Sequence, residues 1–260
     1  MIMVEAFLLA GSDGPSELTE KEKVKNKALI EINGAPLITY IIDALDKCLE
    51  ISRTVVVGPA AELQSICRGR DVPVLQEKGS IAQNIIAGTK ALTADSYILL
   101  VTADVPLLSP EAIKDFLEKC RPFAEADFFY PIIPKTISEE KFPGMKRTYA
   151  PLKDGVFTGG NIMLFNAAKV EECMPKVEKF IAARKSPLKL LMLLGIGFLF
   201  RFTTGRLALS DIEKSFSRIL GARSKAIISS YPEIGTDIDK VSDLEHIRRL
   251  MRKKTNFSCF

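Results

Sequence analysis

Three kinds of residue in this sequence could act on phosphate. An apolar run near the N-terminus ends in Leu8-Leu9-Ala10-Gly11-Ser12-Asp13-Gly14, and a glycine-bearing loop after a strand lets backbone N–H groups approach an anion closely. Lys27 follows in the continuation of that loop, within Asn26-Lys27-Ala28-Leu29, and a lysine facing the strand ends can neutralise polyphosphate as a point cation. Carboxylates are the third kind. Asp104 stands just beyond the apolar run Tyr97 to Thr102, and Asp237 and Asp239 alternate ahead of the last helix, where an extended backbone points both to one side. Mg²⁺ in phosphate sites takes one or two carboxylates besides substrate oxygens and water. In-line attack on phosphorus needs charge neutralisation and alignment more than a protein nucleophile, and this set supplies both. Each residue alone also has a plain structural reading. Lys27 has Lys21, Glu22, Lys23 and Lys25 beside it, Asp104 suits a turn or cap, and Asp237 and Asp239 suit a solvated loop.

Other chemistries lose their supports. The first loop is too long and irregular for GxGxxG, and GxxxxGK[ST] is absent. The one histidine, His246, falls in the C-terminal helical pattern as a surface residue, which removes His-dependent triads and His-rich zinc sites. The five cysteines, Cys48, Cys67, Cys120, Cys173 and Cys259, form no CxxC pair and are odd in number, so a reduced cytoplasmic set is expected rather than a disulfide framework.

The candidate residues need strand ends to hold them, and the first half of the chain alternates β-type runs with helical patterns. Strands are predicted over 4–9, 53–58, 72–76 and 97–102, with helices over 36–48, 62–67 and 81–92. A further helix opens at Ser109-Pro110-Glu111, with Ser as N-cap and Pro at the first helical position. Strands this apolar are buried on both faces, the pattern of a parallel sheet between helices. The expected fold is therefore α/β, a three-layer, Rossmann-like, mostly parallel sheet with helices on both faces. Residues 131–150, rich in Pro, Lys and Glu, are expected as an irregular excursion, and 155–165 as one glycine-marked strand. A helical insertion is expected over 166–222, with a capping box at Ser210-x-x-Glu213. A late strand at 226–228 follows, then a last helix opened by the capping box Ser242-x-x-Glu245. No internal repeat or low-complexity linker interrupts residues 1–260, so one domain carrying that insertion is the simplest organisation.

The chain has 260 residues, 47% of them hydrophobic and 26% charged, with a formal charge of +4. So small a surplus, spread along the chain, argues against nucleic acid as a partner. The dense cluster Arg248, Arg249, Arg252, Lys253 and Lys254 reads as the solvated face and positive end of the last helix. The N-terminus lacks the pattern of a signal peptide. Leu188 to Phe202 reads LKLLMLLGIGFLFRF, but its uninterrupted apolar part, Leu190 to Phe200, contains Gly195 and Gly197 and is shorter than the roughly 18–20 residues of a membrane span. Two buried or lid helices are expected there, with weak membrane-surface contact as the alternative; a homo-oligomer is left open.

In order along the chain, LLAGSDG at 8–14, K-x-L at 27–29, INGAPLITYIIDAL at 32–45, TADVPLLSPEAI at 102–113, TGGNIMLFN at 158–166 and DIDKVSDLE at 237–245 resemble the nucleotidyltransferases with a MobA-like NTP-transferase domain. These share a Rossmann-like fold related to glycosyltransferase family A. The resemblance implies an enzyme that moves a nucleoside monophosphate from an NTP, CTP or GTP favoured, to a small, phosphorylated acceptor with loss of pyrophosphate and with Mg²⁺ as cofactor. Lys27 and Asp104 would be catalytic. Leu9, Ala10, Gly11 and Ser12 would contact nucleotide, Lys27 phosphate, and Gly79, Ser80 and Asn84 the base. Gly159, Gly160 and Asn161 would shape the acceptor side. Asp104 and Asp239 would ligate the metal, with Asp237 as a substitute for the latter. The sequence departs from the family pattern at Ser12, where a second glycine is usual, at Asn26, where a proline is usual, and in having no arginine before Arg53. Lys21, Lys23 or Lys25 would have to replace that cation. Otherwise a catalytically weak or inactive nucleotide-binding protein results. The Asp237-Ile238-Asp239 spacing also fits the DxD of a nucleotide-sugar glycosyltransferase, though it lies near the C-terminus rather than mid-chain.

Overall fold

The computed structural model of the protein describes residues 3–11, 14–92, 97–183 and 193–257, with side chains of the last helix described through Arg252. Its strands are β1 (Val4–Leu9), β2 (Glu31–Ile32), β3 (Ala35–Pro36), β4 (Ile51–Gly58), β5 (Val74–Gln76), β6 (Tyr97–Thr102), β7 (Phe128–Pro134), β8 (Ala150–Leu152), β9 (Gly155–Gly159), β10 (Ile162–Asn166) and β11 (Ser224–Ile228). The helices are α1 (Glu17–Lys21), α2 (Leu37–Asp46), α3 (Ala60–Cys67), α4 (Ile81–Lys90), α5 (Pro110–Lys119), α6 (Lys135–Lys141), α7 (Val170–Ala183), α8 (Ile196–Thr203), α9 (Leu209–Leu220) and α10 (Val241–Phe257).

Nine strands form one sheet in the order β5-β4-β1-β6-β10-β7-β9-β8, with β11 also on β7; β2 and β3 make a separate hairpin. The neighbours β5, β4, β1 and β6 are parallel, as their unbroken apolar runs predict. Pairing then turns antiparallel at β10, β7, β9 and β8, and β11 runs parallel to β7. Only β9 and β10 therefore oppose the common direction, so the sheet is mixed but mostly parallel.

Alternation along the strands divides the core in two. Leu8, Val56, Leu99 and Val101 face one side with Ile38 and Ile41 of α2, Phe116 of α5 and Ile247 of α10. Phe7, Val55, Val57, Ile98 and Leu100 face the other with Ile85 of α4 and Val170 and Met174 of α7. Burying side chains of this size contributes about 1.5–3 kcal/mol each, and that holds the strand ends in register.

Several expectations are corrected. The stretch 131–150 is not irregular throughout, since β7 runs on to Pro134 and α6 follows directly. On one edge β7 pairs with β10 through Phe129 and with β9 from Ile132. Pro131 falls between those two ladders, where its missing N–H is tolerated. Residues 155–165 form two strands. Gly160 and Asn161 turn the corner between them, where a Cβ at Gly160 would lie 2.7 Å from Ile234 Cγ2 and 2.8 Å from Pro131 Cγ.

Both predicted helix starts are shifted by two residues toward the N-terminus. Helix α9 starts at Leu209, and Asp211 accepts from the Ala208 N–H at 3.2 Å, while Glu213 accepts from the Ala226 N–H at 2.8 Å. Helix α10 starts at Val241, and Asp243 accepts from the Lys240 N–H at 2.9 Å. In each case the acid that reaches back to the free N–H groups defines the start. Arg248 is not simply solvated: its guanidinium grips Glu22 at 2.6 and 3.0 Å and fastens α10 to the loop after α1. Cys48, Cys67, Cys120 and Cys173 are buried free thiols; Cys259 lies outside the described residues.

Candidate active site

The C-terminal ends of parallel strands are where an open α/β sheet leaves a crevice. Here β1 and β6 end side by side, the Ala103 N–H donating to the Leu9 carbonyl at 3.0 Å. A cleft of about 350 Å³ opens over these ends. Its walls include Leu9, Ala10 and Gly11 after β1, Lys27 and Ala28, Lys78 to Ile81 with Asn84 at the start of α4, and Thr102 to Asp104 after β6. Lys27 and Asp104 thus converge on one cavity. Ser12 lies outside the described residues.

Local chemistry explains how each part is held. Asn26 is buried, its amide donating to the Ala10 carbonyl at 2.7 Å while its carbonyl accepts from the Ala28 N–H at 2.8 Å. That side chain caps the single turn Lys27–Leu29 and pins it against the loop after β1, a task for which a proline has no donor. Gly11 packs closely, and a Cβ there would displace the side-chain ends of Asn84 and Glu77, each 2.9 Å away. Asn84 is buried and accepts from the Lys78 N–H, tying the 77–79 turn to α4. Ser80 caps α4 by accepting from the Gln83 N–H at 3.2 Å and donates to Glu178 at 2.7 Å; Gly79 beside it leaves the cleft wall open.

Asp104 accepts from the Thr102 hydroxyl at 2.5 Å, and the Asn161 amide stands 3.5 Å from the same oxygen. The Asp104 carbonyl accepts from the Ile238 N–H at 3.0 Å, which draws the 237–239 segment across the end of β6. Oxygens of Asp104, Asp237 and Asp239 consequently lie within 4.8 Å of one another, the first two half-buried and the third exposed. Such an all-oxygen donor set suits a hard divalent cation rather than zinc or copper. Lys27 Nζ donates to Asp239 at 2.8 Å, and Arg147 pairs with Asp237 through both its carboxylate and, at 3.1 Å, its carbonyl.

The electrostatics follow from this crowding. Burial raises the pKa of Asp104, with the Asp239 charge adding to it and the Thr102 hydrogen bond and Lys27 opposing. Asp237 is pushed up to about 6 by burial, which the Arg147 charge only partly offsets against Asp104 and Asp239. For Lys27, burial favours the neutral amine, but the hydrogen bond to Asp239 and the charges of Asp239, Asp104 and Asp237 outweigh it, and the net shift is upward. Burial likewise opposes ionisation of Asp239, yet the Lys27 hydrogen bond and charge carry it below the usual carboxylate range. Three carboxylates facing two cations leave the cluster short of positive charge.

Of the residues singled out from sequence on the acceptor side, the structure brings Asn161 to Asp104. Gly159 and Gly160 lie outside the cleft walls, and close packing against Tyr130, Pro131 and Ile234 accounts for their lack of a side chain. Neither Lys21 nor Lys25 replaces the missing loop arginine. Lys21 pairs with Glu245 at 3.1 Å and Lys25 with Glu62 at 3.7 Å, and neither they nor Lys23 line the cleft. Lys78 does line it. The structure adds Lys78, Thr102 and Arg147 to the residues singled out from sequence. Thr102 opens the quoted motif at 102–113 and Lys78 precedes the singled-out Gly79, whereas no local pattern marks Arg147, whose side chain is only 9% exposed.

Comparison with known proteins gives the chain its relatives. The family model for the MobA-like NTP transferase domain matches residues 7–185. A solved structure described as a hypothetical transferase from Thermus thermophilus is 34% identical, with a TM-score of 0.82, over 93% of this chain and 99% of that one. A probable molybdenum cofactor guanylyltransferase from Pyrococcus horikoshii is 35% identical over 95 residues, 36% of this chain and 47% of that protein, so the match spans about half the relative's length. At 14% identity, 4-diphosphocytidyl-2C-methyl-D-erythritol synthase from Anaerococcus prevotii shares the fold, with a TM-score of 0.59 over 96% of each chain. By the extent of the family match and its likeness to the Thermus transferase, this chain belongs to the MobA-like NTP transferase domain family of nucleotidyltransferases.

Proposed function

We propose that the chain transfers a nucleoside monophosphate from an NTP to a small, phosphorylated acceptor, with Mg²⁺ bound and pyrophosphate released. The observation that carries this reading is the convergence of Lys27, Asp104, Asp237 and Asp239 at the end of β6 over a cleft floored by Gly11. GTP and CTP are the nucleotides we favour, since the Pyrococcus relative is named for guanylyl transfer and the sequence resemblance extends to cytidylyltransferases.

In this reading the backbone from Leu9 to Gly11, continuing to Ser12, receives the phosphates, and Gly79, Ser80 and Asn84 border the base. Lys27 and Lys78, both on the cleft wall, neutralise the polyphosphate. Asp104 with Asp239, or Asp237 in its place, would hold Mg²⁺, which when bound supplies charge neutralisation to the phosphates. The acceptor approaches from the corner at Gly159, Gly160 and Asn161, its oxygen forming a bond to the α-phosphorus as the bond to pyrophosphate breaks. Fixed cations aimed at the developing charge are the main catalytic contribution such a site can make.

A thermal-shift panel of the four NTPs with and without Mg²⁺ tests the binding step, because a ligand that binds only the native state raises its melting temperature. Pyrophosphate release over an acceptor panel tests turnover. Stabilisation by an NTP only when Mg²⁺ is present supports the reading, and no shift with any NTP overturns it. NTP·Mg²⁺ binding without pyrophosphate release from any acceptor would instead favour a nucleotide-binding protein without turnover, a reading the arginine-free first loop motivates.

A further inference from the structure

The sequence predicts α8 as buried or as a lid, yet the helix contains no buried residue. Ile196 is 78% exposed, Phe200 61%, Leu199 42% and Phe202 36%. Single exposed apolar residues are ordinary, but Ile196, Leu199 and Phe200, at i, i+3 and i+4, line one face of the helix and leave an apolar stripe without a cover. The polar groups at its end are already satisfied: the Thr203 hydroxyl donates to the Leu199 carbonyl at 3.1 Å and the Thr204 hydroxyl to the Phe200 carbonyl at 2.8 Å. The helix can therefore enter an apolar boundary without stranding those donors.

The unpaired charge around the patch is mainly positive. Arg201 lies on the helix and exposed Arg206 just beyond it. Arg218 of α9 donates to the Leu194 carbonyl at 3.2 Å, and exposed Lys214 stands one turn earlier on that side of α9. The acids beside it are already engaged, the exposed Asp154 accepting from the Leu209 N–H at 2.7 Å. Asp211 accepts from the Ala208 N–H and from Arg201, and Glu213 from the Ala226 N–H.

We propose that α8 is an interfacial helix that docks the chain onto an anionic lipid bilayer. Its apolar side chains would lie at the boundary between headgroups and acyl chains, with Arg206, Lys214 and Arg218 on the lipid phosphates. Charge selects this occupant over a second copy of the chain, because a two-fold contact through α8 would set the same cations against each other. No helix among the described residues is long and apolar enough to cross a membrane, so the contact is peripheral. One short helix with a few cations gives weak, reversible, salt-sensitive binding.

The test is co-sedimentation of the full chain with vesicles of phosphatidylcholine alone or mixed with phosphatidylglycerol. Binding is expected only to the anionic vesicles, falling about tenfold when salt is raised toward molar levels. Leu199→Ser with Phe200→Ser should abolish it, and Arg206→Gln should weaken it, both without altering NTP-dependent thermal shifts. Because the chain has no tryptophan, Phe200→Trp adds a direct probe whose emission should shift to the blue on anionic vesicles. No binding at low salt, equal binding to neutral vesicles, or an unshifted indole emission from the Phe200→Trp variant overturns the proposal. A concentration-dependent dimer lost in the double serine variant overturns it too, and names a second copy as the occupant.

Discussion

Lys27 Nζ donates to Asp239 Oδ1 at 2.8 Å, so the cation and one carboxylate at the cleft's edge neutralise each other. Both partners keep some solvent contact, with side-chain exposures of 32% and 61%, and an ion pair this open holds weakly. A polyphosphate entering over Gly11 would compete for the ammonium and free Asp239. The pair thus keeps the lysine extended across the cleft without locking it there.

Lys27→Met should accordingly reduce NTP affinity about 10- to 100-fold, the equivalent of one charged hydrogen bond of about 1.5–3 kcal/mol. The melting temperature without ligand should hardly change. Titration calorimetry beside thermal melting separates the two, and unchanged NTP affinity would remove Lys27 from the site.

Asp104→Asn should abolish turnover while holding or raising the melting temperature of the ligand-free chain at neutral pH. The sign follows from the raised pKa of this carboxyl. A folded-state value above the unfolded one means that ionising Asp104 costs the native state stability once the pH exceeds the unfolded value. The neutral amide lacks that cost. Melting curves at pH 4 and pH 7.5 check this, the variant gaining on the wild type as pH rises. A large loss of stability at neutral pH would point to a structural role instead.

Arg147→Met should destabilise the fold by on the order of 3 kcal/mol, because it strands a half-buried carboxylate at Asp237. Adding Asp237→Asn should restore much of the loss. Denaturant titrations of both single variants and the double variant measure the coupling, and additive losses would mean the pair does not act as one.

Asp127 lies at the start of β7, where the Arg223 side chain and N–H hold its carboxyl below the usual carboxylate range. Its stabilisation is present above the unfolded value of about 4 and is lost as pH falls through the lower folded value. Asp127→Asn should therefore be less stable than wild type at neutral pH, and the two should converge in acid. Parallel melting curves down the pH scale would show it.

Much of the scaffold was legible from residue order. Unbroken apolar runs mark β1, β4 and β6, a Ser-Pro-Glu sequence marks the start of α5, and Asp104 is marked by its place beyond β6, whereas Lys27 is picked out from its charged neighbours only by the family resemblance. These signals are local: burial on both faces, helical periodicity and capping act within a few residues. Strand bounds failed where local cues mislead, as at Pro131, whose tolerance depends on a change of partner strand.

Tertiary structure alone decided which distant groups meet. Asp237 and Asp239 are brought to Asp104 by contacts between distant segments, the Ile238 N–H bond to the Asp104 carbonyl together with Arg147 on Asp237 and Lys27 on Asp239. Arg147 joins them from a stretch whose composition suggested only surface loop. The same holds for α8, whose apolar sequence reads as interior and whose side chains nonetheless face outward. Hydrophobicity states that a surface seeks cover, but whether that cover lies within the chain is settled only when every other element has taken its place in the core.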